Sequence, residues 1–210
     1  MFFRLPDHEI VFPDPALAED DGLLAIGGDL SLDRLLLAYS NGIFPWFSEG
    51  EPILWYSPHQ RCVIFPDRIL VSKSMKKVLR DEIFTITVDT AFEEVISNCA
   101  ETPRKGQDGT WITNEMQAAY INLHKRGYAH SVEVWQDGQL VGGLYGLKVN
   151  RVFCGESMFS KVSNASKAAT IYLSKLYVDL IDCQMPNDHL MSLGAEMIDR
   201  AHYMELLQAE

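Results

Sequence analysis

The chain has 210 residues and a formal net charge of −11, which argues against a protein that binds nucleic acids over its whole surface. Its four cysteines lack the spacing of a disulfide framework or a zinc site, and its N-terminal residues lack the pattern of a signal peptide. No apolar run is long enough to span a membrane, so we expect a soluble cytoplasmic protein of one large domain, or a main domain with a small satellite.

The N-terminal segment is predicted to contain a loop, a short helix and an aromatic run. Proline and glycine punctuate residues 11–29, which is typical of an ordered loop. Ser31 can cap a helix that Gly42 ends, with apolar residues at i, i+3, i+4 and i+7, namely Leu32, Leu35, Leu36 and Tyr39. The aromatic run at residues 43–47 either packs on its own domain or forms a rigid shelf for a base or a side chain.

A basic helix follows two short strands predicted at residues 53–57 and 61–65. Residues 61–80 carry six basic residues against one acidic residue, whereas the segments on either side are acidic. Ser72 is a plausible N-cap, and four cations with no acid among them share one helical face: Lys73, Lys76, Lys77 and Arg80. This face is either merely solvated or binds phosphate groups.

A three-stranded meander is predicted at residues 130–160, with an Asp137-Gly138 hairpin turn. A strand at 84–88, a helix at 90–99, a polar loop at 102–109 and a helix capped by Thr113 precede it. Four glycines lie in the strands and mark either a weakened meander or positions of bulges and close approach: Gly142, Gly143, Gly146 and Gly155. The last strand ends in GESMFS at residues 155–160, a mixture of polar and apolar side chains that favours a pocket wall.

The C-terminal third is predicted to form a helix at 165–180, a strand at 181–185, and a closing helix after a turn at 192–195. Asp182 and Gln184 project from one face of a regular strand, where they form either a catalytic pair or a capping or core-satisfying pair. A meander, a helix and a further strand are also the core order of a GNAT-type acyltransferase. The junction at residues 160–167 contains no glycine to hold a pyrophosphate, so we expect that coenzyme A is not the donor.

Taken together, these motifs resemble the leucyl/phenylalanyl-tRNA–protein transferase family. The resemblance runs in order through FPDP, GLLAIGGDLS, GIFPWF, ILWYSP, TWIT, HSVEVW, LVGGLYG, FCGESMFS, NASK, IDCQ and SLGA, and it covers nearly the whole chain. Tyr56 departs from the pattern, because many relatives have a second tryptophan after Trp55.

The resemblance implies an α+β fold with a small N-terminal α/β domain over residues 1–62. A GNAT-like transferase domain with a mixed, mostly antiparallel sheet flanked by helices would occupy residues 63–210. It implies transfer of Leu or Phe, and Met less well, from charged tRNA to proteins that begin with Arg or Lys, which marks them for degradation. We expect a monomer that needs no cofactor and no metal. The alternatives are another GNAT-fold acyltransferase and a non-enzymatic tRNA- or peptide-binding protein.

The resemblance also implies roles for individual residues. Asp182 and Gln184 match the proposed catalytic pair. We assign Gln184 to orienting the amine through its amide oxygen, and Asp182 either to polarising Gln184 or to receiving the proton through it. Glu156 holds either the donor's α-amine or the acceptor's basic side chain, with Asp188 as the second candidate for the latter. Substrate binding is assigned to Trp46, Trp111, Tyr39, Tyr120, Leu144, Glu156, Met158, Ser160 and Ile181, and tRNA binding to Lys73, Lys77 and Arg80.

Overall fold

The computed structural model describes residues 2–6, 8–103, 110–176 and 178–209, so most of the loop predicted at 102–109 lies outside the described residues. Within these ranges, no helix has the length and apolar character needed to cross a membrane.

The N-terminal segment forms a four-stranded sheet. Its strands are β1 (Phe3–Leu5), β2 (Leu23–Gly27), β3 (Phe44–Pro45) and β4 (Leu54–Tyr56), arranged in the order β1-β2-β4-β3. β1 and β2 are parallel, and the other neighbours are antiparallel. Helix α1 (Leu32–Ser40) buries Leu35 and Tyr39, which confirms the predicted apolar face, and Ser31 holds the N-cap position without a side-chain capping bond.

The remaining strands form a seven-stranded sheet in the order β11-β5-β10-β9-β8-β7-β6. These strands are β5 (Gln60–Ile64), β6 (Thr85–Val88), β7 (Ala129–Gln136), β8 (Gln139–Val149), β9 (Val152–Ser160), β10 (Leu180–Gln184) and β11 (Glu196–Asp199). Only β9 and β10 pair in parallel among the described strands of this sheet, so the predicted mixed, mostly antiparallel sheet is confirmed. The boundary predicted between residues 62 and 63 falls inside β5, and the division into two domains stays a prediction.

Helices cover both faces of the large sheet. α3 (Phe92–Glu101), α4 (Asn114–Lys125) and α7 (Arg200–Gln208) contribute to one apolar core, which continues into the N-terminal sheet. α2 (Lys73–Arg80) and α5 (Ala165–Leu173) contribute to a second core on the opposite face. The short helix α6 (Asp188–Met191) follows β10, and 3₁₀ turns lie at Pro15–Leu17 and Pro66–Arg68.

Register shifts interrupt the regular pairing of the large sheet at three places, and two of them are β-bulges in β9 and β10. Tyr145 pairs with Ser157 and Gly146 with Gly155, so Glu156 is an extra residue in β9. Asp182 pairs with Val63 and Gln184 with Cys62, so Cys183 is an extra residue in β10. A bulge changes the direction of the side chains around it and is common next to functional sites.

The strand glycines allow this close geometry. A Cβ atom on Gly146 would lie 2.1 Å from the carbonyl oxygen of Cys154, across the first bulge. A Cβ atom on Gly142 would lie 2.5 Å from that of Ala165, at the start of α5. The prediction that these glycines mark a bulge and a close approach is therefore confirmed at both positions.

Two local predictions for the C-terminal third are wrong. The helix predicted at residues 165–180 ends at Leu173, although good helix formers continue beyond it. Leu180 and Ile181 must pair with Val152 and Phe153 of β9, so the chain has to leave the helix and turn back to the sheet. The regular strand predicted at Gln184 is interrupted by the second bulge, so alternation fails there.

Candidate active site

A cavity of about 880 Å³ opens where β9 and β10 stop pairing. The pairing ends at Cys154 and Asp182, and the residues that follow on both strands line the cavity. Crevices beyond the carboxyl ends of parallel strands are common binding sites, and this volume suits a ligand the size of a small substrate.

Most of the predicted catalytic and substrate-binding residues meet in this cavity. The members that line it are Trp46, Trp111, Leu144, Glu156, Met158, Ser160, Ile181 and Gln184. They come from the segment after β3, the segment before α4, and strands β8, β9 and β10. Tyr39, Tyr120 and Asp182 do not line the cavity; they are buried behind its wall.

The cavity has an apolar section and an aromatic section. Leu144, Met158 and Ile181 line the apolar section with two residues that the sequence reasoning missed, Phe153 and Leu173. In the aromatic run at 43–47, Phe44 and Phe47 are buried, whereas Trp46 is 39% exposed and lines the cavity with Trp111. Packing on its own domain is therefore confirmed for Phe44 and Phe47, whereas a shelf for a base or a side chain at Trp46 stays a prediction.

Gln184 is held in an unusual backbone conformation at the edge of the cavity. Its φ of 60° lies in the left-handed region, which is uncommon for a residue with a side chain. Its backbone N–H donates to Asp182 Oδ1 at 2.9 Å, and its Nε2 donates to Glu156 Oε1 at 2.8 Å. These two bonds fix both the backbone and the amide group, and they leave the amide oxygen to accept a hydrogen bond from a substrate.

Asp182 is fully buried, and its carboxylate is bound by groups other than the Gln184 side chain. Arg61 donates from Nε to Oδ1 at 2.8 Å and from Nη2 to Oδ2 at 2.7 Å. The Tyr203 hydroxyl donates to Oδ2 at 3.0 Å. The expected polarisation of the Gln184 amide by Asp182 is therefore replaced by a bond to the Gln184 backbone.

Glu156 is the carboxylate that contacts the Gln184 side chain. It is 8% exposed, and the Tyr120 hydroxyl donates to its Oε2 at 3.0 Å. Burial raises the pKa of Glu156 to about 7, although the hydrogen bonds from Tyr120 and Gln184 partly offset this effect. Tyr39 and Tyr120 are hydrogen-bonded to each other, so they form a buried support beneath this carboxylate.

Ser160 has a local structural role as well as a position on the cavity wall. Its hydroxyl donates to the Val162 carbonyl at 2.8 Å and accepts from the Ser166 N–H at 3.2 Å. These bonds attach the first turn of α5 to the end of β9. Ser166, Thr170 and Leu173 of α5 complete this side of the cavity.

The basic helix lies beside the cavity. Ser72 caps α2 by accepting from the Met75 N–H at 3.2 Å, which confirms the predicted cap. Lys73, Lys76, Lys77 and Arg80 are exposed, while Met75 is buried against the core that contains α5. The expectation of four unrelieved cations is wrong at Arg80, which forms an ion pair with Asp81 at 2.9 Å.

The sequence reasoning missed Arg61 and Tyr203. Arg61 was counted only as part of the basic segment, yet it is buried between the rings of Phe44 and Tyr203, 4.7 Å and 4.6 Å from their centres. An arginine inside a short apolar strand is a signal for a buried acidic partner, because arginine is almost never fully buried unpaired. Tyr203 carries no comparable signal in the sequence.

Comparison with known proteins gives one consistent result. The model of the leucyl/phenylalanyl-tRNA protein transferase family matches residues 63–208, and the model of that family's N-terminal domain matches residues 28–59. A leucyl/phenylalanyl-tRNA–protein transferase of Flavobacterium johnsoniae is 57% identical over 100% of both chains. That of Flavobacterium psychrophilum is 57% identical over 96% of this chain and 97% of its own.

The chain belongs to the leucyl/phenylalanyl-tRNA–protein transferase family.

The two matched segments of this transferase family together contain the residues that line the cavity. Trp46 lies in the N-terminal match, whereas Trp111, Glu156 and Gln184 lie in the longer match. A solved GCN5-related N-acetyltransferase from Kribbella flavida is also similar, with 13% identity and a TM-score of 0.40 over 75% of this chain and 57% of that one.

Proposed function

We propose that this protein transfers Leu or Phe, and Met less well, from aminoacyl-tRNA to the α-amino group of proteins that begin with Arg or Lys. It acts in the cytoplasm as a monomer, and the new N-terminal residue marks the acceptor for degradation. The observation that carries this proposal is the fixed Gln184 amide at the edge of a cavity with an apolar section and two tryptophans.

The donor occupies the cavity in two parts. The side chain of the amino acid enters the apolar section formed by Leu144, Met158 and Ile181, and the terminal adenosine contacts Trp46 and Trp111. A flexible apolar section accepts unbranched, γ-branched and aromatic side chains. β-Branched Val and Ile are disfavoured by about 1–3 kcal/mol, because their bulk lies close to the backbone.

The chemistry needs little more than positioning. The aminoacyl ester is already activated, and the α-amine has a pKa near 8, so roughly a tenth is neutral at pH 7. The oxygen of the Gln184 amide accepts a hydrogen bond from this amine and directs its lone pair at the ester carbonyl. The ionised Glu156 accepts from Nε2 and polarises the amide, which makes its oxygen a better acceptor.

Asp188 recognises the basic side chain of the acceptor. Glu156 is buried and bonded to Tyr120 and Gln184, so it is not available to pair with a large flexible cation. Asp188 lies on the cavity wall and is exposed, at the first position of α6. An exposed carboxylate there pairs with Arg or Lys without the desolvation cost of a buried site.

The basic helix holds the acceptor stem of the tRNA. Its three assigned cations, Lys73, Lys77 and Arg80, are exposed on α2, which packs beside the helix that lines the cavity. The rest of the chain is acidic, so a polyanion is directed to this helix.

Labelled Phe-tRNA incubated with an Arg-starting peptide, without coenzyme A, tests the proposal. We expect the label to appear at the peptide N-terminus, and the same peptide with an acetylated N-terminus to remain unlabelled. Transfer that requires coenzyme A would indicate another acyltransferase. Binding of both substrates without transfer would indicate a binding protein, and either result would overturn the proposed reaction.

A further inference from the structure

Two cysteines that take no part in the proposed reaction lie next to each other beside Gln184. Cys62 of β5 is opposite the bulge in β10, and Cys183 is the extra residue of that bulge. Both side chains belong to the same apolar core, so they lie on the same face of the sheet. A bulged residue and the residue opposite it are neighbours in the sheet, and the Cys183 thiol donates to the Ile181 carbonyl at 3.8 Å.

The two thiols differ in access. Cys183 is partly exposed and lines the cavity, whereas Cys62 is fully buried behind it. A small reagent that enters the cavity therefore reaches Cys183 first. Interaction with the other thiol lowers the pKa of Cys62 and raises that of Cys183, so Cys62 is the sulfur more readily present as a thiolate.

We propose that Cys62 and Cys183 are a redox modification site, whose reversible disulfide switches off aminoacyl transfer. The co-reactant is a low-molecular-weight disulfide. Once deprotonated, Cys183 attacks one of its sulfurs and forms a mixed disulfide, and the departing small thiolate takes up the proton that Cys183 lost. Cys62 then attacks the Cys183 sulfur and releases the second small thiol. Two protein thiols are oxidised and one small disulfide is reduced, and an external dithiol reverses both steps.

The disulfide acts on Gln184 through the bulge. A disulfide brings the two sulfurs to about 2.05 Å, which is much shorter than any non-bonded contact between sulfurs, so β10 must move toward β5 at Cys183. Gln184 is the next residue, and its left-handed backbone depends on the bond to Asp182. The loss of transfer rests on the proposed role of Gln184, whereas the cross-link itself does not.

The other two cysteines provide a control. Cys99 of α3 and Cys154 of β9 are buried in the core on the opposite face of the sheet. Cys99→Ala is therefore expected to behave like the wild type. Cys62→Ala removes the resolving thiol without changing a cavity residue, and Cys62→Ser serves if the alanine variant does not fold.

The test is to treat the folded full chain with glutathione disulfide, map its peptides and measure transfer before and after reduction with dithiothreitol. We expect a Cys62–Cys183 linked peptide in the wild type and in Cys99→Ala. Transfer should fall on the order of tenfold or more and return on reduction. Cys62→Ala should be fully active when reduced and should instead retain glutathione on Cys183.

The proposal is overturned if the linked peptide does not form, or if the cross-linked protein transfers at the reduced rate. It is also overturned if Cys62→Ala acquires no glutathione on Cys183. A reduced wild type without transfer would instead refute the proposed function, and the linked peptide would still report on the disulfide.

Discussion

Glu156 differs from an ordinary surface carboxylate in both position and ionisation. It is the extra residue of a bulge, it is supported by Tyr120, and it accepts a bond from Gln184. Its pKa of about 7 means that it changes charge within the range in which the α-amine of the acceptor also becomes neutral. The chemistry of the site is therefore set at single residues by burial and by hydrogen bonds.

Glu156→Gln should change how stability depends on pH. The carboxyl has a pKa near 7 when folded and 4.5 as its usual value, so the folded state holds this proton at a higher pH than the unfolded state. As pH rises from 4.5 to 7, the free energy of unfolding of the wild type should fall by about 3 kcal/mol relative to that of the variant. Above pH 7 this difference should level off. Denaturant unfolding of both proteins at several pH values measures this difference, and parallel curves would contradict the raised pKa.

The same substitution should alter the pH profile of transfer. The wild-type rate should rise through pH 7 as Glu156 ionises and polarises Gln184. The rate of the variant should lack this rise near pH 7 and should increase only where the amine of the acceptor becomes neutral. Single-turnover transfer from a saturating donor separates these two titrations.

Asp188→Asn should reduce selection of the acceptor without affecting the donor. KM should rise for Arg-starting peptides, and their advantage over Ala-starting peptides should narrow, because the paired charge is removed. Use of Leu- and Phe-tRNA should be unchanged. Asp67→Asn is a matched control, since Asp67 has an exposed side chain and does not line the cavity. An unchanged Arg preference in Asp188→Asn would exclude this role.

At the level of secondary structure, the bulges in β9 and β10 and the basic helix α2 determine where the proposed functional side chains lie. The two bulges direct Glu156 and Gln184 toward each other, although they lie on different strands. Helix α2 brings several cations to one exposed face because its period matches their spacing. Each effect can be tested separately.

Gly146→Ala should remove the bulge at Glu156. Its Cβ would lie 2.1 Å from the Cys154 carbonyl oxygen, so β8 and β9 would have to separate or change register. We expect a loss of about 2–3 kcal/mol in stability and a large loss of transfer. Gly155→Ala is the control for stability, because its Cβ comes no closer than 3.4 Å to Asp182 O. Equal stability of the two variants would show that the bulge tolerates the added methyl group.

Replacing Lys73, Lys77 and Arg80 with Ala should weaken tRNA binding and reduce its salt dependence by up to about three phosphate contacts. Transfer from a minimal aminoacyl-adenosine donor should be little affected. Arg80 should contribute least, because it is already paired with Asp81. The control variant removes Lys125, Arg126 and Lys148, which are exposed elsewhere. If this control weakens binding equally, the helix has no specific role.

At the level of the whole molecule, Arg61 joins segments that are distant in sequence. It binds Asp182 of β10, donates to the Gly42 carbonyl at 3.1 Å, and stacks on Phe44 and on Tyr203 of α7. The N-terminal sheet, the large sheet and the last helix therefore meet at one buried guanidinium.

Arg61→Lys should destabilise the protein by about 3 kcal/mol, because lysine cannot bind a buried carboxylate through two parallel bonds or stack between two rings. It should also reduce transfer by releasing the Asp182 bond that fixes Gln184. Arg68→Lys is the control: Arg68 pairs with Glu196 at 2.8 Å, but its side chain is 56% exposed, so the expected loss is below about 1 kcal/mol. Unfolding in urea compares the two, and similar losses would refute the role of Arg61.

The sequence by itself determined those features that depend on local periodicity and on ordered motifs. The capped basic helix, the Asp137-Gly138 turn, the meander and the family are all of this kind, because neighbouring residues are sufficient to specify them. At Asp137 and Gly138 both φ angles are positive, as this turn requires.

Only the tertiary structure decided which side chains of the site contact one another. The bulges at Glu156 and Cys183 depend on the register between strands, and no local pattern encodes that register. Asp182 binds Arg61 rather than the Gln184 side chain because burial requires a charged partner, and that partner is 121 residues away. The raised pKa of Glu156 has the same origin, since burial and hydrogen bonding at one carboxylate depend on residues brought together from α1, α4, β9 and β10.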